Sequence, residues 1–287
     1  MEVLPIDPVA QTSRWMAAAR ARESRRPDAL FDDPLAAAFA GREGFAWLEG
    51  LELSRLWGGP GLYIVIRTRF FDDFLLSSCL STGARQIVLL AAGMDARAFR
   101  ISWPPQTRLY ELDRPEVLAA KGTVIDRTGA RPACERHAIG ADLGGHPSWS
   151  EALLEAGYEV REPSVWLVEG LLFYMSEGVV HHLLDAVSAL AAPGSRLGAD
   201  LVNEDLLRSP TMWPLLSTFA WRGLVGCFGT NHPEALFFEH GWESQAIQPG
   251  EQGANYGRWP YPVARREVPN VPRIFLVRAR RRGGRMG

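Results

Sequence analysis

Short apolar runs alternate along this chain with longer stretches whose apolar residues recur at helical spacing. Ile87-Val88-Leu89-Leu90 is an unbroken run of strand-forming residues. Further strands are predicted over 107–112, 136–143, 165–168, 196–202, 243–248 and 273–279. The run Val165-Trp166-Leu167-Val168 is apolar throughout, as a strand covered on both faces must be. Between them, 62–80 reads as a long helix with Val65, Phe70, Phe74, Leu75 and Leu80 on a broad apolar face. Val179, Val180, Leu183, Leu184, Val187 and Leu190 define another helix, with Ser176 as its expected N-cap. A further helix is predicted over 233–240. Strands alternating with helices argue for a mostly parallel, Rossmann-like α/β sheet.

The N-terminal region differs in texture. Residues 15–26 are amphipathic and rich in Arg and Ala, and 27–34 (Pro-Asp-Ala-Leu-Phe-Asp-Asp-Pro) reads as a loop with aromatic anchors. Residues 203–232 carry an unusually apolar insertion, including Leu206, Leu207, Trp213, Trp221 and Leu224. The segment 280–285 is basic and reads as a disordered tail.

Composition narrows the choices. With 287 residues, 47% of them hydrophobic, one α/β domain with insertions is expected. A net charge of −2 argues against general nucleic-acid binding. The three cysteines, Cys79, Cys134 and Cys227, are far apart and show no metal or disulfide spacing, so a reducing cytoplasm and no metal site are expected. No signal peptide or membrane span is read from the chain.

The chemistry is concentrated after the first strand. Ala91-Ala92-Gly93-Met94-Asp95 forms a small-residue turn, 96–100 a short helix, and the next strand ends on Asp113. Asp113 falls 20 residues after Gly93, the spacing at which a carboxylate reaches a ribose. The glycines of a dinucleotide fingerprint are missing, which disfavours a nicotinamide enzyme. A nucleoside without phosphates, such as S-adenosyl-L-methionine, fits better. Glu169 closes the fourth strand and should point into the ligand crevice of an open sheet.

Residues 88–100 (Val-Leu-Leu-Ala-Ala-Gly-Met-Asp-Ala-Arg-Ala-Phe-Arg) resemble the first motif of the leucine carboxyl methyltransferase family, a hydrophobic strand followed by Gly-Ala-Gly-Leu-Asp-Thr-Arg-Ala-aromatic-Arg. Ala91 stands where that family usually has Gly. Arg67-Thr68-Arg69-Phe70-Phe71-Asp72-Asp73, Glu111-Leu112-Asp113-Arg114-Pro115, Asp142-Leu143 and Glu169-Gly170-Leu171-Leu172-Phe173-Tyr174-Met175 resemble its later motifs. The resemblance covers most of residues 10–280. It implies a class I S-adenosylmethionine-dependent methyltransferase: a seven-stranded, mostly parallel Rossmann-like sheet in one domain, with a helical lid over residues 1–80 and a helical cover over 203–232. It also implies roles. Arg67 would hold the cofactor's methionine carboxylate, with Arg69 the other candidate. Asp113 would hold the ribose, Asp142 and Leu143 the adenine, and Glu169 the ammonium group or nearby backbone. Gly93 would line the cofactor, and Tyr174 could orient substrate. His137 and Lys121 are read as non-catalytic, Lys121 as solvated.

The activity expected is O-methylation of the carboxylate of a small apolar acid of natural-product type. A phenolic acceptor and a protein C-terminal carboxylate remain alternatives, as does a nucleoside-binding protein without turnover. A carboxylate needs no base, whereas a phenol would, and His181, His182, His232 and His240 are the candidates for one.

Overall fold

A computed structural model describes residues 8–53, 60–144, 148–210 and 227–283. The elements run α1 (Pro8–Ser24), α2 (Ala36–Leu53), α3 (Pro60–Thr82), β1 (Gln86–Leu90), α4 (Arg97–Arg100), β2 (Arg108–Asp113), α5 (Pro115–Thr128), β3 (Glu135–Gly140), α6 (Ser148–Glu155) and β4 (Ser164–Val168). After a 3-10 turn at Leu172–Tyr174 come α7 (Glu177–Leu190), β5 (Arg196–Val202), α8 (Glu204–Arg208), α9 (Pro233–Glu239), β6 (Trp242–Ile247) and β7 (Ile274–Arg281).

The seven strands form one sheet in the order β3-β2-β1-β4-β5-β7-β6. β1 to β5 pair in parallel, and β7 runs antiparallel between β5 and β6. Leu90 stands in register with Leu112 on one side and Val168 on the other. The carboxyl ends of β1, β2 and β4 are therefore level, and the residues that follow them share one edge.

Alternate strand residues feed two cores, because successive side chains leave a strand on opposite faces. Val88, Leu90, Tyr110, Leu112, Trp166 and Val168 pack with α6 and α7. Ile87, Leu89, Leu109, Val165 and Leu167 pack with Phe70, Phe71 and Phe74 of α3. Each of these buried aromatics contributes roughly 2–3 kcal/mol of hydrophobic stabilisation. A third core joins α1, α2 and the turn after β1 through Trp15, Phe39 and Met94.

The structure departs from the sequence reading in several places. α2 was expected only as an undivided part of a helical segment over 1–80; its run of small and apolar residues packs on α1. β7 continues through Arg280 and Arg281, where a basic tail was expected, because Arg281 pairs in register with Trp242 and its guanidinium bonds the carbonyls of His240 and Gly241. Ser176 sits at the N-cap of α7 but makes no side-chain cap bond. Lys121 is completely buried, with its ammonium 2.7 Å from Glu111 Oε2. It sits on the sheet-facing side of α5, where its charge is matched by a carboxylate from β2. Of the apolar insertion, residues 211–226, with Trp213 and Trp221, lie outside the described residues.

Candidate functional site

The turn after β1 is built on two residues in the left-handed region, Ala91 at φ 57° and Gly93 at φ 45°. Glycine suits such a φ because it has no Cβ to clash, and a Cβ on Gly93 would stand 3.0 Å from Ser13 Cβ of α1. Ala91 adopts the same region at a steric cost on the order of 1 kcal/mol. The Gly93 N–H donates to Asp113 Oδ2 at 2.6 Å, and the Arg114 N–H donates to Asp113 Oδ1 at 2.7 Å. Asp113 is thereby fixed beside the turn. Burial raises its pKa, while the two N–H bonds pull the other way.

A cleft of about 470 Å³ opens at this edge, and Gly93, Asp113, Leu143, Glu169 and Tyr174 line it. Asp142 stands on its exposed rim, with Oδ1 accepting the Gly144 N–H at 2.8 Å. Thr12, Ser13 and Met16 of α1 line it from above. A narrow extension of about 60 Å³ continues past Gly93 and Glu169 to Arg67, Arg97 and Arg20. The structure thus brings together Arg67, Gly93, Asp113, Asp142, Leu143, Glu169 and Tyr174. Arg69 is separate: it pairs with Asp73, donates to the Leu30 carbonyl at 2.6 Å and lines neither space.

Arg67 is buried and already engaged. Its Nη1 donates to Asp200 Oδ2 at 2.8 Å, and Nη2 faces Met16 Sδ at 3.2 Å. Glu169 Oε1 lies 2.9 Å from Nε as an ion pair, without the N–H aimed at it. Burial alone would lower the Arg67 pKa, but the carboxylates of Asp200 and Glu169 outweigh this and raise it. Asp200 also accepts from Tyr63 Oη at 2.6 Å and from the Gly170 N–H at 2.6 Å. Gly170 takes φ 68°, and a Cβ there would approach Arg67 Nη1 to 3.2 Å.

Sequence reasoning missed most of this charge network. Arg97 bonds Asp72, Asp95 and Glu169, and Asp72 is gripped in turn by Arg100. Arg20 reaches from α1 to Asp33 and to the Met94 carbonyl. Asp95, Arg97 and Arg100 stood inside the quoted motif, so the segment was visible although the partners were not. Asp200 gave only one signal, an acid inside the otherwise apolar run from Leu197 to Val202.

The candidate bases lie elsewhere. No histidine among the described residues lines the cleft or its extension. His181 Nδ1 is 2.9 Å from His240 Nε2, and His240 Nδ1 is 2.7 Å from Asp185, so these two satisfy each other between α7 and the end of α9. His182 and His232 are exposed. His137 pairs with Glu135 and stacks on Tyr110. Tyr174 is half-buried and hydrogen-bonded to Thr12; burial pushes its phenol far above the ordinary tyrosine range. Among the described residues no cluster of three or more His, Cys, Asp or Glu is placed to hold a metal, and no helix is long and apolar enough to cross a membrane.

A sheet of this order, with its antiparallel strand inserted beside β5 and a cleft over the carboxyl ends of β1, β2 and β4, is the class I S-adenosylmethionine-dependent methyltransferase fold. The chain belongs to the leucine carboxyl methyltransferase family, whose model matches residues 13–188. It is 43% identical over 249 residues to a candidate S-adenosyl-L-methionine-dependent methyltransferase of Parafrankia sp., covering 83% of this chain and 78% of that one. A similarly named protein of Streptomyces coelicolor is 38% identical over 286 residues, covering 95% and 94%. Among solved structures, a DUF574 family protein from Streptomyces avermitilis shares the fold with a TM-score of 0.61 at 14% identity, covering 94% of this chain and 96% of that one. A structure from Thermobifida fusca, titled as that of a candidate methyltransferase, has a TM-score of 0.61 at 15% identity and covers 98% and 100%.

Proposed function

We propose that this protein is an S-adenosyl-L-methionine-dependent O-methyltransferase that converts the carboxylate of a small, largely apolar acid into its methyl ester. S-adenosyl-L-methionine-dependent methylation is the family's chemistry, and the residues at the cleft suit that cofactor. Each oxygen of Asp113 takes one backbone N–H, which leaves lone pairs for two ribose hydroxyls. Leu143 offers an apolar wall for a neutral base, and Asp142 an acceptor at the rim. Glu169 and Asp95 supply negative charge where an ammonium group would sit, and the Nη2 of Arg67 faces only a weak acceptor, Met16 Sδ. Bound there, the cofactor supplies an electrophilic methyl group on a sulfonium.

The remaining work falls to this chain's own residues. Helix α1 acts as the lid, through Thr12, Ser13 and Met16, and excludes water from the reacting groups. Leu171, Met175 and Val179 give the acceptor an apolar wall. Tyr174, kept protonated by burial, can donate a hydrogen bond but cannot act as a base near neutral pH. Positioning two reactants supplies much of the rate in such a site. The three cysteines are unpaired, which supports a cytoplasmic setting.

One observation carries the choice of acceptor: the cleft has apolar walls and no histidine among its described lining residues. A carboxylate, with a pKa near ~4, is ionised at neutral pH without help. A phenol near ~10 is ionised only about one part in a thousand, a handicap of roughly 4 kcal/mol that a base must offset. The test is a panel of acids and phenols with methyl-labelled cofactor. Expected are a product cleaved by mild alkali and a rate nearly flat from about pH 6 to 9. An alkali-stable product would overturn the carboxylate assignment.

A further inference from the structure

We propose that Arg97 is a positioning residue for the cofactor site, acting through Glu169. This rests on the reading of Glu169 as a cofactor-binding residue.

Arg97 is 2% exposed and comes from α4, which is only four residues long. Its guanidinium spans three segments. Nε donates to Asp72 Oδ1 of α3 at 2.7 Å. Nη1 donates to Glu169 Oε2 after β4 at 2.7 Å and pairs with Asp95 in the turn after β1. Nη2 points towards the Thr68 carbonyl. Asp72 cannot swing away, because Arg100 holds both of its oxygens at 2.7 Å. The backbone of Arg97 is fixed as well: its N–H donates to Asp95 Oδ1 at 2.6 Å, and its carbonyl accepts from Trp103 Nε1 at 2.9 Å. The guanidinium is therefore a rigid fork at a set position.

Glu169 is the one member of this group that lines both the cleft and its extension while also contacting two arginines. Arg67 Nε stands 2.9 Å from Oε1 as an ion pair, while Arg97 donates to Oε2 at 2.7 Å, so the directional bond that sets the carboxylate comes from Arg97. Glu169 lines the cavity and keeps lone pairs free for a ligand there. Without Arg97, one oxygen loses its anchor and the carboxylate can turn about its terminal torsion, which is broad in glutamate. Placement of a charged group to within a fraction of an ångström is what such a supporting residue contributes. A lysine could not replace it, because a single ammonium cannot bond Asp72, Asp95 and Glu169 from one planar fork.

The test compares Arg97→Lys, Glu169→Gln and the double variant. Calorimetry gives the dissociation constants for S-adenosylmethionine and S-adenosylhomocysteine, and circular dichroism checks folding. Arg97→Lys is expected to fold and to bind at least tenfold more weakly. The double variant is expected to bind within threefold of Glu169→Gln alone, because the effect of Arg97 passes through Glu169. Loss in the double variant equal to the product of the two single losses would overturn the proposal, since simple structural damage is additive. Normal binding by Arg97→Lys beside weakened binding by Glu169→Gln would overturn it too and leave the reading of Glu169 standing. Normal binding by Glu169→Gln would remove that reading and this proposal together. If Arg97→Lys does not fold, Asp72→Asn loosens the same fork from its far end and should show the same loss and the same non-additivity.

Discussion

The carboxylate of Asp113 closes on the amide of Gly93 at 2.6 Å, tying the end of β2 to the turn that follows β1. The bond makes one unit of the carboxylate and the glycine turn. Asp113→Ala is expected to raise the cofactor's dissociation constant about thirtyfold, roughly 2 kcal/mol, through loss of charge-assisted hydrogen bonds. Calorimetric binding within threefold of the parent would show that Asp113 does not hold the ribose.

Ala91 offers a test in the opposite direction. Its φ of 57° is strained for any residue with a Cβ, and the residue lines both the cleft and the extension. Ala91→Gly should leave stability unchanged or raise it by up to about 1 kcal/mol, and should not weaken cofactor binding. Ala91→Val, adding a β-branch at the same φ, should cost about 2 kcal/mol or more. Urea unfolding of the two variants measures both, and equal stability of Val and Gly at this position would contradict the strained turn.

Acid should reveal Asp95. Burial alone would raise its pKa, but Arg97, with help from Lys121, Arg20 and Arg100, brings it down to about 2. A carboxyl depressed in the folded state stabilises the fold above its unfolded pKa near ~3.9 and loses that contribution as pH falls towards 2. The amount is about 2 kcal/mol. Asp95→Asn should therefore narrow the gap in stability between pH 7 and pH 2.5 by that amount, read from denaturant midpoints at each pH. An unchanged gap would mean that Asp95 contributes nothing to acid sensitivity.

The buried pair beneath the site makes a different claim. Lys121→Met leaves Glu111 wholly buried with only Arg136 as its ion partner, at 2.7 Å. Removing one member of a buried pair typically costs about 3 kcal/mol or more. A loss below about 1 kcal/mol in urea titration would mean that Arg136 alone suffices.

What could be read in the chain divides by range. Strands, the helices facing the sheet and the edge holding Gly93, Asp113 and Glu169 were legible because each is written in a contiguous stretch of residues. Lys121 was misread because its partner, Glu111, lies across a packed interface and burial is not local. Arg97 and Asp200 went unnoticed for the same reason: their roles depend on side chains 72 and 133 positions away in the chain. The bounds of α2 within the helical segment 1–80 were not legible because alanines and glycines that pack helix against helix leave little polar contrast to mark a face.

The place of β7 has a consequence for how the molecule is made. It follows β6 in sequence yet lies between β5 and β6. On the ribosome, β5 and β6 must wait with bare hydrogen-bonding edges until residues 274–281 emerge, and open edges of this kind invite pairing with other chains. Strand β7 also carries Phe275, Leu276 and Val277 into both cores at once. A protease-resistant product should therefore appear only after residues 274–281 have emerged, and a nascent chain stalled before β7 should depend on chaperones that a chain carrying β7 does not need.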